Sequence, residues 1–246
     1  MHLSGDGKVP TRANAPYVDF SSALLATIGV LAALMDRQKT GKGQKVETAL
    51  LRTVINITIS HLIEQSMLSL NRIATLNRGF TAGPSDTFKC KDGWIYAMTI
   101  GQPLFVRWCR LMGNEDLTAD PRFKDDLARG DNGEQLSASM QKWCEARTVA
   151  EALEQLEANR IPAGAIYTPQ QTLDDKHVNE AGFFHSMEYP GADKPIPVLQ
   201  EPVKLSRTPL TIRRRAPQLG EHTAEILAEL GYEPAAIDQL RADRVV

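Results

Sequence analysis

One carboxylate stands at the mouth of a long apolar run. In PTRANAPYVDFSSALLATIGVLAAL, residues 10–34, Asp19 is the single acidic side chain. An aspartate ahead of a helix can accept a hydrogen bond from an N–H of the first turn and complement the helix dipole. A carboxylate can also act as a nucleophile that divides one difficult acyl exchange into easier steps. Such an attack asks for an ionised but poorly hydrated group, which a helix N-terminus in an apolar setting can supply. The two roles are compatible, and the run after Asp19 reads as a helix buried nearly all round.

Other reactive residue types form weaker patterns. Lys42 in TGKGQ lacks the spacing of a phosphate-binding P-loop. Arg213, Arg214 and Arg215 read as a solvated basic face. His61 and Glu64 sit three apart on an expected helix, and one such pair does not make a metal site. His222 in LGEHT reads as a capping or packing residue, and no Ser-His-Asp arrangement emerges. Cys90, Cys109 and Cys144 are odd in number and far apart, as expected for reduced thiols in a cytoplasmic protein rather than a disulfide framework or a metal knuckle.

The elements that must position these residues follow from periodicity and breakers. Residues 1–16 read as a loop with Gly5, Gly7, Pro10 and Pro16 as breakers. A helix is expected over 20–38, ended by Gly41 and Gly43. KVETAL alternates like a strand, and a second helix is expected over 51–71. NRGFTAGPS begins a new unit, and Asp92-Gly93 in TFKCKDGWIYAMTI signals a hairpin. Helices are expected over 103–112, 133–146 and 149–159, the last with Thr148 and Glu151 spaced as a capping box. IPAGAIY reads as a short strand, 189–217 as a linker with short strands, and 222–230 and 234–241 as closing helices. This order gives an α/β or mixed α+β fold, divided at 1–75, 76–170 and 171–246.

Bulk composition narrows the partners. The 246 residues are 42% hydrophobic and 24% charged with net charge -2, so no basic surface for nucleic acid is expected. The longest apolar run, over 23–35 and interrupted only by Thr27 and Gly29, is too short for a membrane span. The first twenty residues lack the pattern of a secretory signal.

The stretch from Asp19 to Leu50 resembles the segment after the catalytic aspartate of family III CoA-transferases, whose relatives include α-methylacyl-CoA racemases. The tail APQLGEHTAEILAELGY is similar to the C-terminal signature of that family, and KDGWIYAMT, ADPRF and IPAGAIY fall in matching order between. The resemblance implies part of a large lobe carrying the nucleophile helix, a small α+β lobe, and a C-terminal return. It also implies an interlocked homodimer when complete, and an N-terminal CoA-binding part that these residues lack. Asp19 would form an aspartyl-CoA thioester while CoA passes from an acyl-CoA to a carboxylic acid. CoA is then a substrate, with no cofactor and no metal. Gly79 and Gly83 would belong to a glycine-rich loop over the intermediates, whose N–H groups could stabilise an oxyanion, although glycine is also an ordinary turn residue. Racemisation of an acyl-CoA is an alternative weakened by TIGQPLF, where Gly101 and Gln102 stand at the place of the glutamate that the resemblance puts near the histidine-aspartate acid-base pair of the racemases. A non-catalytic interaction module is a further alternative.

Overall fold

The computed structural model describes residues 1–246. By its contacts the chain forms two compact units, Met1–Ile166 and Tyr167–Val246.

The first unit opens with a loop and α1, Tyr17–Thr40. Gly41 at φ 73° ends the helix, its N–H donating to the Arg37 carbonyl. The expected all-round burial is not found. Only Ser22 is buried, and Phe20, Leu24, Ile28, Leu31 and Met35 are each 55–67% exposed. Those five recur at helical spacing, so they form one continuous apolar stripe. The helix is also longer than the run over 23–35 and, by length and composition alone, could cross a membrane. Two ties bind it to its own unit. Ser22 Oγ donates to Thr53 Oγ1 at 2.8 Å, and a side chain at Gly29 would meet Val46 at 3.0 Å.

KVETAL is not a strand, because no neighbouring segment offers it a ladder of hydrogen bonds. The expected single helix over 51–71 is two, α2 at Leu50–Ile57 and α3 at Ile59–Leu68. They part at Thr58, whose hydroxyl bonds back to the Val54 carbonyl at 2.7 Å, a bond that competes with helical continuity. Arg72 then ties this helical part to the next. It grips Glu64 with two bonds of 2.6 and 2.8 Å, reaches Asp131 at 3.2 Å, and lies over the Phe80 ring.

Next come β1 (Ser85–Lys89) and β2 (Trp94–Met98), antiparallel around the Asp92-Gly93 turn. α4 (Gln102–Met112), two 3-10 turns, α5 (Asp126–Asp131), α6 (Gly133–Glu145) and α7 (Val149–Ala158) follow. β3 (Ala163–Ala165) returns to pair with β2, giving the order β1-β2-β3. Alternation along β2 turns Ile95 and Ala97 into the core and Trp94 and Tyr96 outward. Phe88, Phe105, Trp108, Leu136, Met140 and Leu156 fill the space between sheet and helices. The capping box at Thr148 and Glu151 is present in full.

All three cysteines lie in this core and are free. Burial pushes the Cys109 thiol up to about 11 and the Cys144 thiol up to about 12. Because the thiolate is the reactive form, the folded chain should resist a disulfide reagent near pH 8 and react fully in denaturant. Rapid labelling of Cys144 without denaturant would contradict this core.

The second unit begins with α8 (Pro169–Asp174) and α9 (Lys176–Glu180). The hairpin of β4 (Phe184–Met187) and β5 (Ile196–Leu199) follows, then α10 (Thr223–Glu229) and α11 (Pro234–Ala242). Arg215 joins its parts, bonding Glu221 at 2.8 and 2.5 Å and covering the Tyr189 ring. That fork, helped by the Gln218 N–H, holds the Glu221 carboxyl down to about 2. A lowered folded value means stabilisation that is present above the ordinary 4.5 and lost as pH falls toward about 2. Acidification through that window should therefore loosen the surroundings of Tyr189, read from its ring signals by NMR. In Glu221→Gln that pH dependence should vanish.

Candidate active site

Asp19 is the third residue of α1, and Pro16 occupies the cap position without a side-chain bond. The expectation that Asp19 caps the helix is therefore corrected. A capping side chain must lie outside the first helical residue to turn back onto the free N–H groups, and α1 begins two residues earlier, at Tyr17. Asp19 still lies in the first turn, where a negative charge is favoured by the dipole. Its carboxylate is exposed and makes no hydrogen bond or ion pair. The poorly hydrated setting that acyl attack asks for is not supplied by these residues.

The carboxylate borders an open hollow of about 170 Å³ lined by Met1, Ser4, Thr11, Arg12, Tyr17 and Asp19 among others. Its wall is the N-terminal loop, closed by the Thr11 N–H on the Ser4 carbonyl at 3.3 Å. Asp6 braces the loop by accepting the N–H groups of Lys8 and Val9, which hold its carboxyl below the usual range. Gly5 and Gly7, both at positive φ, bring the loop against the segment before β1. The Leu76 N–H donates to the Gly5 carbonyl at 2.6 Å, and a side chain at Gly7 would meet the Ala74 carbonyl at 2.8 Å.

Gly79 and Gly83 do not line this hollow. The Gly79 N–H is donated to the Ser85 carbonyl at 2.7 Å. The Gly83 carbonyl accepts from Thr99 Oγ1 at 2.8 Å, and Gly83 lies so close to Arg129 that a Cβ would stand 2.7 Å from its carbonyl. Gly101 and Gln102 are structural anchors of the same region. The Gly101 N–H donates to both oxygens of Asp126. Buried Arg129 bonds Asp126, Gln102 and the Phe123 carbonyl and stacks on Phe105.

The remaining candidates are dispersed. His61 meets Phe80 edge-on, and Glu64 is held by Arg72, so the pair supports packing. Lys42 sits in the exposed turn after α1, where Thr40 bonds its N–H. His222 precedes α10 without capping it and pairs with Glu225 at 3.1 Å.

A model of the family described as CoA-transferase family III matches residues 1–223. The chain belongs to CoA-transferase family III. It is 30% identical to a succinyl-CoA:mesaconate CoA-transferase of Haloarcula hispanica over 94% of this chain and 58% of that protein. It is 28% identical to a formyl-CoA:oxalate CoA-transferase of Rhodopseudomonas palustris, over 94% of this chain and 60% of that one. The fold matches a CaiB/BaiF family protein of Brucella suis with a TM-score of 0.70 and 26% identity, over 94% of this chain and 60% of that one. This family III chain thus spans about three-fifths of the length of the relatives it matches. Within it, Arg12 is the functional candidate that sequence reasoning passed over. Only its place seven residues before Asp19 could have marked it, and nothing in residue type alone says that the loop folds back.

Proposed function

We propose that the chain carries the nucleophile of a transferase that moves CoA from an acyl-CoA to a carboxylic acid through Asp19. The carrying observation is the unpaired Asp19 carboxylate beside an open hollow in a chain of this family. A carboxylate oxygen of Asp19 attacks the thioester carbonyl, the C–S bond breaks, and CoA leaves as thiolate from a mixed anhydride. The thiolate then attacks the Asp19 carbonyl, releasing the donor acid and leaving an aspartyl-CoA thioester. The acceptor carboxylate displaces CoA to form a second anhydride, and the thiolate attacks the acceptor carbonyl, freeing Asp19. No electron changes hands, so CoA serves as substrate and no cofactor or metal is needed.

The acceptor acids named for the compared relatives, mesaconate and oxalate, each carry two carboxyl groups, which supports a dicarboxylic acid as acceptor here. The reading places the protein in the cytoplasm as a homodimer. The exposed apolar stripe of α1 favours a second reading, an interaction module without turnover. Incubation with succinyl-CoA followed by hydroxylamine separates them. Transfer chemistry leaves a hydroxamate at Asp19 in tryptic peptide 13–37. An unmarked peptide, or equal marking at that peptide in Asp19→Ala, sinks the transfer reading.

A further inference from the structure

We propose that Arg12 is the residue of this site that holds the carboxylate of a small dicarboxylic acid beside Asp19. The inference rests on the transfer reading and adds to it the group that recognises the acid.

The hollow is open to solvent, and its volume of about 170 Å³ leaves room for a short acid beside Asp19. Its lining carries two charged side chains, those of Arg12 and Asp19. Both side chains are exposed and unpaired, and they form no ion pair with each other. Arg72, Arg129 and Arg215, by contrast, are each committed to a carboxylate. Arg12 therefore has its guanidinium donors free and lines the same hollow as Asp19.

The chemistry needs such a cation. An acid that reacts as its carboxylate must approach Asp19, and two like charges a few ångströms apart repel. A guanidinium lining the same hollow offsets that repulsion and can grip a carboxylate with two parallel N–H···O bonds, which a lysine ammonium cannot. The loop around Arg12 is built to hold it. Thr11, its neighbour, donates its N–H to the Ser4 carbonyl and its hydroxyl to the Val9 carbonyl. The same loop is bonded through Gly5 to Leu76. Pro10 and Pro16 restrict the backbone on either side.

The test is a titration of the 246-residue chain with succinate, followed by ¹H–¹⁵N NMR at the Val18 and Asp19 amides and at Arg12 Nε. Succinate should give saturable shifts at all three, and uncharged succinamide should give none. Arg12→Gln should weaken succinate about tenfold, the scale of one charge-assisted hydrogen bond, with Arg12→Lys between it and the parent. Asp19→Asn should tighten succinate several-fold by removing the like charge, a response that a purely structural arginine would not produce. The absence of saturable shifts in the parent, sulfate binding as tightly as succinate, or an unchanged affinity in Arg12→Gln would each overturn the proposal. The hydroxylamine experiment stands apart. Hydroxamate at Asp19 with succinate indifferent to Arg12 removes this inference alone, and Arg12-dependent succinate binding without hydroxamate removes the transfer reading alone.

Discussion

Asp19→Asn is expected to lower CoA transfer by about four orders of magnitude or more, the scale on which loss of a covalent nucleophile acts. The amide keeps the size and shape of the side chain but cannot form the anhydride or the thioester on which the proposed route depends. Asp19→Ala should do the same, which excludes slow conversion of asparagine back to aspartate as a source of residual rate. Neither change should unfold the protein. The carboxylate makes no hydrogen bond, so its removal forfeits only the dipole interaction of a first-turn acid, about 0.3–1 kcal/mol. An unfolding midpoint close to the parent together with lost turnover is the combined expectation. Retained transfer in both variants would mean that the acyl group is passed without this carboxylate.

The elements that could be read from the sequence are those whose signals are local. The Asp92-Gly93 turn places φ-tolerant residues between two apolar-alternating runs, and β1 and β2 pair across it. Thr148 and Glu151 need only each other's backbone to form a capping box, and they form it. Misreadings arose where the outcome depends on something distant. KVETAL has the alternation of a strand, but pairing requires a neighbour. The stripe from Phe20 to Met35 has the composition of a buried helix face, yet burial is a property of what lies opposite, and among these residues nothing covers it. The position of Asp19 as third helical residue rather than cap turns on where the helix begins, and propensity leaves such boundaries loose by a residue or two.

The candidate site divides the same way. Asp19 was legible because a lone acid at the head of an apolar run stands out, and the following segment resembles a known family. Arg12 was not legible, because it becomes a neighbour of the hollow only when the N-terminal loop closes through Ser4 and Gly5. Gly79 and Gly83 show the limit of reading glycine from sequence. One has given its N–H to Ser85 and the other permits a close backbone approach to Arg129, neither of which residue type distinguishes from a loop over a reaction centre.

A second close approach, of Gly130 to Phe80, identifies the substitution with the largest expected effect on stability, Gly130→Ala. A Cβ on Gly130 would stand 1.9 Å from the Phe80 carbonyl oxygen, 2.4 Å from its carbon and 2.9 Å from the Thr81 nitrogen. These are backbone atoms, so no side chain can swing aside to make room. The segment before β1 would have to part from α5. That movement would break the bond of 3.0 Å from Arg78 Nη1 to the Gly130 carbonyl and disturb the contact between Gly83 and Arg129. Overpacking a tight core usually costs about 1–3 kcal/mol, but those cases allow side chains to repack, and here the backbone itself must move. A loss on the order of 3 kcal/mol or more is therefore expected, measured as the urea midpoint followed by the fluorescence of buried Trp108. Gly164→Ala is the control. It makes the same chemical change in β3 where nothing lies within 4 Å, and it should shift the midpoint by no more than about 0.5 kcal/mol in either direction. Equal shifts in the two variants would mean that α5 and the segment before β1 are not in backbone contact. A large loss confined to Gly130→Ala would establish that contact as the clamp that sets the path of the chain from the helices into the small sheet.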